Sequence, residues 1–450
     1  MEERDMTQTN RPNRVNRRAL MGGTASAIAG TALLGARSST FAAPMLAIRQ
    51  EPVMLQFWGG EPEENGPGDF VAAFNEAQPE FQATYTRYVN DDTGNTQLDT
   101  ALQGGTQIDV YQSYGIPRTS QRIGAGAALD LTAYIDADPD IKAWTESEEL
   151  YQQDDTFFSL PTVVDPFVTI ANKRLLDEAG VTLPESWTTD EFREMCRQLS
   201  SDTVFGTYAP PDITLQILGA NRWYKEGGTE SNFDDPAFRQ NLELHKGMID
   251  EGSSFPWTDV LARDLRVYQQ GIFLTEQAPL WVTSSFVLRY VNDLEEFPHD
   301  FITTFGPVPV PADATDPWTL GTLGNEVLIN PTTLNPDAAW ALLRFRLVDG
   351  ADHYLKSGKQ AAFPGQSVDD IVAGILGPDR ETLYDVEAYR TAITQPDMRI
   401  PTDSITTASA QIQQITQALS DQFLIGEIDI EEALTEMKAQ ADEAIAQASS

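Results

Sequence analysis

From Val53 the chain runs through two alternating hydrophobic rhythms. Val53 to Trp58 is strand-like, and Asp69 is placed to cap an amphipathic helix carrying Phe70, Val71, Phe74 and Ala77, with Pro79 beyond it. Phe81, Ala83 and Tyr85 then alternate with polar residues, which predicts a second strand. A short helix around Leu98, Ala101 and Leu102 stops at Gly104-Gly105, and Ile108 to Tyr111 supplies a third strand. Strand, helix, strand, helix, strand predicts an α/β fold with a mostly parallel sheet. In such sheets ligands sit beyond the carboxyl ends of the strands. That rule puts two stretches on one side of the sheet: Trp58-Gly59-Gly60-Glu61 after the first strand, and Gln112-Ser113-Tyr114 after the third.

The mixed pattern continues. Thr188 to Leu199 predicts a helix behind the capping box Thr188-x-x-Glu191, with Phe192, Met195, Cys196 and Leu199 on one face. Cys196, the single cysteine, therefore reads as a small core residue. Pro236 to Ile249 is helical, Gly271 to Ser285 includes a strand, and Phe305 to Asp316 is a proline-rich connection. Asn335 and Pro336 form a helix start, cap then first-turn proline, and the last helix is capped near Asp429.

Ahead of this pattern lies a different segment. A basic, polar start leads through Arg17-Arg18 into a weakly apolar run of small residues ending at Ala36, which is the order of a secretory leader. The paired arginines resemble a twin-arginine signal, and the small residues of Thr40-Phe41-Ala42 suggest cleavage after Ala42. The 450 residues carry 68 Asp plus Glu against 30 Lys plus Arg, a net charge of −38, which argues against nucleic acid and anionic membrane as partners. The length allows two domains with real cores.

Leu160-Pro161, then Asp165 and Ala171-Asn172-Lys173, then Ala179-Gly180 and Pro184-Glu-Ser-Trp187, resemble the crossover segment of the bacterial extracellular solute-binding proteins. Their sugar-binding branch, which includes maltose-binding protein, has a tyrosine where this chain has Ala171 and a threonine where it has Ser186. Pro309-x-Pro311, Gly321 to Asn330 and Asp337-Ala-Ala-Trp340 follow in the family's order. The resemblance implies a type II, two-lobed periplasmic-binding-protein-like fold, with a ligand cleft between lobes joined by a hinge. It implies lobe 1 at residues 51–164 with a returning segment 323–375 and lobe 2 at 165–322 completed by 376–450, after the leader read at residues 1–42. The hinge would lie near Thr162 to Val168 and Asn325 to Pro331. It also implies a monomer without cofactor or metal that delivers a small solute to an ABC transporter permease from the periplasm or outer cell surface.

Sugar hydroxyls call for charged and amide hydrogen-bonding groups, and their C–H faces call for aromatic rings. Trp58, Gly59, Gly60 and Glu61 offer both, though Trp58 could equally plug the core. By the resemblance, Asp165 is a sugar-contacting carboxylate or simply a turn former before proline, and Gln112, Ser113 and Tyr114 are ligand contacts or turn caps. Trp223 and Tyr224 before Gly227-Gly228 are second-lobe candidates, with Ser284, Ser285 and Phe286 in the turn where maltose-binding protein has an aromatic platform. Trp257, Trp318, Gly321 and Arg399 are weaker candidates, and Glu326 reads as lobe structure. The alternatives are a polyamine or peptide as solute, and a secreted glycosidase, which would also combine carboxylates with aromatic rings. No hydrolase elbow, zinc motif or phosphate loop appears, and His245, His299 and His353 are isolated in the sequence.

Overall fold

The computed structural model describes residues 51–266, 269–394 and 398–449. The leader and its arginines lie outside them. The first strand, β1 (Val53–Gly59), buries Leu55, Phe57 and Gly59 on one face, as its alternation predicts. It pairs in parallel with β2 (Phe81–Arg87) on one side and β3 (Val110–Ser113) on the other. The helix Pro67–Ala77 crosses between β1 and β2 and buries Phe70 and Phe74, one turn apart. The Phe70 ring meets Phe57 edge-on at 5.8 Å, so the helix is held to the sheet through a ring pair. Gly66, at φ 131°, occupies the cap position expected for Asp69, and Pro67 opens the helix. Asp69 lies in the first turn, where a carboxylate suits the exposed N–H groups. The helix Asp92–Gln103 then leads to β3.

β3 begins two residues later than Ile108, so Gln112 and Ser113 are strand residues and only Tyr114 follows the strand. The sheet is also less parallel than the chain order suggests. A long strand, β4 (Ser159–Asn172), precedes β5 (Leu280–Ser284), β6 (Thr303–Gly306), β7 (Gly321–Ile329) and β8 (Gln360–Ala361). β7 returns antiparallel between β3 and the first part of β4, giving the order β2-β1-β3-β7-β4. The second part of β4 pairs antiparallel with β5 and β6 in another sheet. One 14-residue strand thus serves both sheets.

Each sheet has its own core. Leu55, Phe57, Phe70 and Phe74 pack with Leu342 and Leu343 of the helix Pro336–Leu347. On the other side Ile170, Trp281 and Phe305 pack with Phe273, Tyr389 and Leu376, the last from the helix Val368–Leu376. A further cluster joins Phe238 of Pro236–Asp250 to Phe423 of Ser409–Leu424 and Met437 of Ile430–Ala448. The architecture is therefore α/β with two lobes, β4 passing from one to the other.

Helix boundaries follow the chemistry of their first turns. Thr188 and Glu191 make both halves of the capping box. The Asp429 side chain accepts from the Glu432 N–H at 2.9 Å. Pro336 opens its helix, but the Asn335 side chain makes no cap hydrogen bond. Cys196 is buried among Trp187, Phe192 and Met248, and burial pushes its thiol pKa up. Among the described residues no helix is long and apolar enough to cross a membrane.

Candidate functional site

A cavity of about 280 Å³ lies where the two sheets share β4. The parallel strands contribute at their carboxyl ends: Gly60 and Glu61 just past β1, Arg87 closing β2 with Asn90 beyond it, and Tyr114 just past β3. β4 lines the cavity with Val163, Asp165 and Phe167, every second residue along one face of the strand. Thr322 and Asn325 come from β7 and Lys359 from the residue before β8. Ser284 at the end of β5, with Phe286 and Arg289 beyond it, completes the wall from the second sheet.

Glu61 is the most constrained of these groups. Its side chain is 2% exposed, and the Lys359 ammonium donates to it at 2.7 Å. The Tyr114 hydroxyl donates to its other oxygen at 2.7 Å and accepts from the Gly60 N–H at 2.8 Å. The Asn325 amide donates to it at 3.0 Å. Burial alone would raise its pKa; the Lys359 charge and hydrogen bond, then the Tyr114 bond, outweigh it and hold the carboxyl at about 2. The Lys359 ammonium also lies 5.4 Å from the centre of the Tyr114 ring. Glu61 is consequently a fixed anion whose charge is already answered.

Asp165 differs. It accepts from the Ser284 hydroxyl at 2.6 Å and from the Ser285 N–H at 3.2 Å. Burial dominates over these bonds and over the more distant Lys359, and pushes its carboxyl up to about 7. Its bonds tie the part of β4 that pairs with β7 to the end of β5 and the turn after it. Where β4 meets β7, the Thr162 hydroxyl donates to the Asn325 carbonyl at 2.9 Å, and Asn325 takes a left-handed φ of 51°, which asparagine tolerates better than most residues. Glu326, next along, faces Ser159, whose hydroxyl donates to it at 2.5 Å, and burial pushes its carboxyl up to about 7.

The structure therefore brings together six of the residues singled out in the sequence: Gly60, Glu61, Tyr114, Asp165, Ser284 and Phe286. Others lie behind or away from the cavity wall. Trp58 is on β1 and packs with the cluster of Tyr88, Leu98 and Tyr111, because its strand places it opposite Leu55 and Phe57. Gly59 is the last residue of β1, and a methyl group on it would meet the Gln112 amide oxygen at 2.3 Å. Gln112 and Ser113 are fully buried in β3, and Ser113 accepts from the Arg122 guanidinium at 2.8 Å. Ser285 supports Asp165 through its backbone and bonds the Tyr389 hydroxyl at 2.9 Å through its side chain. Trp223 lines a separate cavity of about 90 Å³ with Arg222 over its ring, and Tyr224 is buried, donating to the Thr407 carbonyl at 2.8 Å. Arg399 stacks on Trp318 at 4.6 Å and pairs with Asp316 at 2.8 Å. Arg87, Asn90, Val163, Phe167, Arg289, Thr322, Asn325 and Lys359 are the lining residues the sequence reading passed over. Arg87 and Asn90 carried a usable signal, since they follow the second predicted strand on its carboxyl side.

Among the described residues no group of metal-type side chains converges on a site. The cavity instead offers hydroxyls, amides, paired charges and the rings of Tyr114, Phe167 and Phe286, which is the equipment for holding a polar small molecule.

Solved structures of similar fold include an ABC substrate-binding protein from Listeria monocytogenes in complex with cycloalternan, with a TM-score of 0.72 at 18% identity over 88% of this chain and 100% of that one. The GacH receptor of Streptomyces glaucescens, studied unliganded and with acarbose, gives 0.66 at 16% identity over 88% and 99%. The sugar-binding protein MalE from Xanthomonas citri gives 0.65 at 16% identity over 88% and 98%. At these identities the likeness establishes the fold. No match is found among curated proteins. The family model for bacterial extracellular solute-binding proteins matches residues 64–351, more than half of the chain and every strand but β1, its entry into the first sheet, and the short β8. The chain belongs to the bacterial extracellular solute-binding protein family.

Proposed function

We propose that the protein captures a carbohydrate outside the cytoplasmic membrane by closing its two lobes on it, and passes it to the permease of an ABC transporter. The observation that carries this reading is the composition of the cavity wall: strand-end groups from the first sheet face Ser284, Phe286 and Arg289 from the second, with β4 common to both. A solute bridging those walls favours the closed arrangement by the contacts that only closure completes. Polar groups suited to hydroxyls alternate with rings suited to C–H faces. The similar structures bound to cycloalternan and acarbose support a saccharide. Lobe 1 as residues 51–164 with 323–375, a hinge at Thr162–Val168 and Asn325–Pro331, a monomeric state and export through the twin-arginine route all belong to this proposal.

The rival solutes and the enzyme reading fit the cavity less well. A polyamine needs uncompensated carboxylates, yet Glu61 is neutralised by Lys359. A glycosidase needs two carboxyl groups working on one bond, one of them able to donate a proton near neutrality. Glu61, held at about 2 and bonded on both oxygens, is unsuited to that, which leaves Asp165 without a partner acid among the cavity residues. The test is calorimetry and product analysis with mono- and oligosaccharides, polyamines and peptides, with small-angle scattering on each complex. Tight sugar binding with compaction and no turnover is the expected result. Hydrolysis of the sugar, or saturation without compaction, would overturn the reading.

A further inference from the structure

The charges around the cavity are distributed against the trend of the chain. Acidic residues outnumber basic ones 68 to 30 in the sequence, yet the cavity is lined by three cations, Arg87, Arg289 and Lys359, and two carboxylates, Glu61 and Asp165. Lys359 and Glu61 answer each other at 2.7 Å. The two arginines are left over. The Arg87 side chain has no hydrogen bond or ion pair among the described residues, and Arg289 has no carboxylate partner there. Arginines elsewhere in the protein are commonly paired, as Arg122, Arg174, Arg193, Arg197, Arg239 and Arg344 are. In so acidic a chain two unpaired guanidinium groups in one cavity call for a ligand that supplies the missing anion.

Their setting favours such a role. Arg87 ends β2 of the first sheet, while Arg289 sits in the short helix Leu288–Val291 beyond β5 of the second. They reach the cavity from opposite walls. Arg289 is already oriented: it donates to the Tyr290 hydroxyl at 2.7 Å, and its carbon lies 4.7 Å from the Tyr290 ring centre and 5.8 Å from that of Phe286. Its Nε is buried without a hydrogen-bond partner. A guanidinium presents paired N–H donors at the spacing of carboxylate or phosphate oxygens, so an oxyanion satisfies both its charge and its geometry.

Building on the carbohydrate reading, we propose that the solute is an acidic saccharide whose oxyanion is gripped between Arg87 and Arg289. The sugar ring then lies over Phe286 or Phe167, and its hydroxyls meet Asp165, Asn90 and Asn325. Asp165, its carboxyl pushed up to about 7 by burial, is partly protonated at neutral pH, and in that form can both donate to and accept from a hydroxyl.

Calorimetry on the purified protein tests this with galacturonic and glucuronic acids and their disaccharides, glucose 6-phosphate, and neutral glucose, galactose and maltose. The acidic sugars are expected to bind at least about tenfold tighter than their neutral parents, since charge-assisted bonds are the strong ones. The uronate and phosphate arms show which oxyanion is preferred. Arg87→Gln, at an exposed site that should fold normally, and Arg289→Gln should each weaken the acidic ligand about 10- to 100-fold, and weaken it by a larger factor than any neutral sugar that binds. Neutral sugars binding as tightly as acidic ones, with Arg87→Gln equal to wild type, would overturn the inference and leave the carbohydrate reading standing. Binding of a polyamine or peptide with no saccharide bound would overturn both.

Discussion

Removing the Lys359 ammonium isolates the contribution of the Glu61 pair. Lys359→Met keeps most of the side chain's volume and leaves Glu61 buried as an anion with only Tyr114 and Asn325 bonded to it. At 2.7 Å and an effective dielectric constant of about 20, the gross attraction lost is about 6 kcal/mol. Desolvation of the ammonium, whose side chain is 12% exposed, offsets part of this. Breaking one half of a buried pair costs about 3–5 kcal/mol, and that is the expected loss of unfolding free energy. The double variant Glu61→Gln with Lys359→Met should recover about half or more, because no stranded charge remains. Equilibrium urea denaturation of the four proteins of the cycle at pH 7 reads both quantities. The pair also sets a pH signature. Because the folded-state pKa of Glu61 lies near 2, below its ordinary value of 4.5, its contribution is present above about 4.5 and lost as pH falls toward 2. A single-variant loss below about 1 kcal/mol, or a coupling energy near zero, would show that Tyr114 and Asn325 suffice and would refute the reasoning.

Two further predictions concern the same region. Asp165 and Glu326 are raised from 3.8 and 4.5 to about 7, so the folded chain holds their protons more firmly than the unfolded chain does. Stability should therefore fall as pH rises from about 4 to about 7, by about 3–4 kcal/mol for each group; denaturation at pH 5 and 7.5 checks this, and Asp165→Asn and Glu326→Gln should each flatten the slope. A wild-type profile flat across that window would contradict the assignment. Gly358 has φ 77°, and a methyl group there would come within 2.1 Å of the Ser285 carbonyl oxygen, a backbone atom that cannot swing aside. Gly358→Ala should cost about 2–5 kcal/mol from strain and overpacking together, whereas Gly426→Ala, at φ 82° with nothing within 4 Å, should cost only the conformational part; equal losses would exclude the contact as the cause.

The order of elements in the first sheet was readable because its first two strands alternate and the helix between them carries Phe70 and Phe74 one turn apart. The direction of β7 was not, since an antiparallel return between β3 and β4 depends on residues more than 200 positions away from its partner in β3. The same distinction runs through the site. Gly60, Glu61 and Tyr114 were legible from the rule about strand ends, and Asp165, Ser284 and Phe286 from the family likeness. Of the two readings of Trp58, ligand ring or core plug, the structure favours the packing one: β1 runs one residue beyond it, and strand alternation turns it toward Tyr111. Lys359 carried no local signal at all, because its importance comes from a carboxylate 298 positions earlier in the chain.

The strand β4 has a consequence for how this chain can change its length. Val163, Asp165 and Phe167 face the cavity only because they are two residues apart, and the flanking parts of the same strand are in register with β7 on one side and with β5 and β6 on the other. Deleting or inserting one residue between Val163 and Phe167 would turn every side chain beyond it to the opposite face. Asp165 or its neighbours would leave the cavity wall, and one of the two sheets would have to slip against its core. Surface loops elsewhere can absorb insertions at small entropic cost. Here a single-residue indel would disrupt the cavity wall and the strand register at once, so variation in this segment is confined to exchanging side chains at constant length.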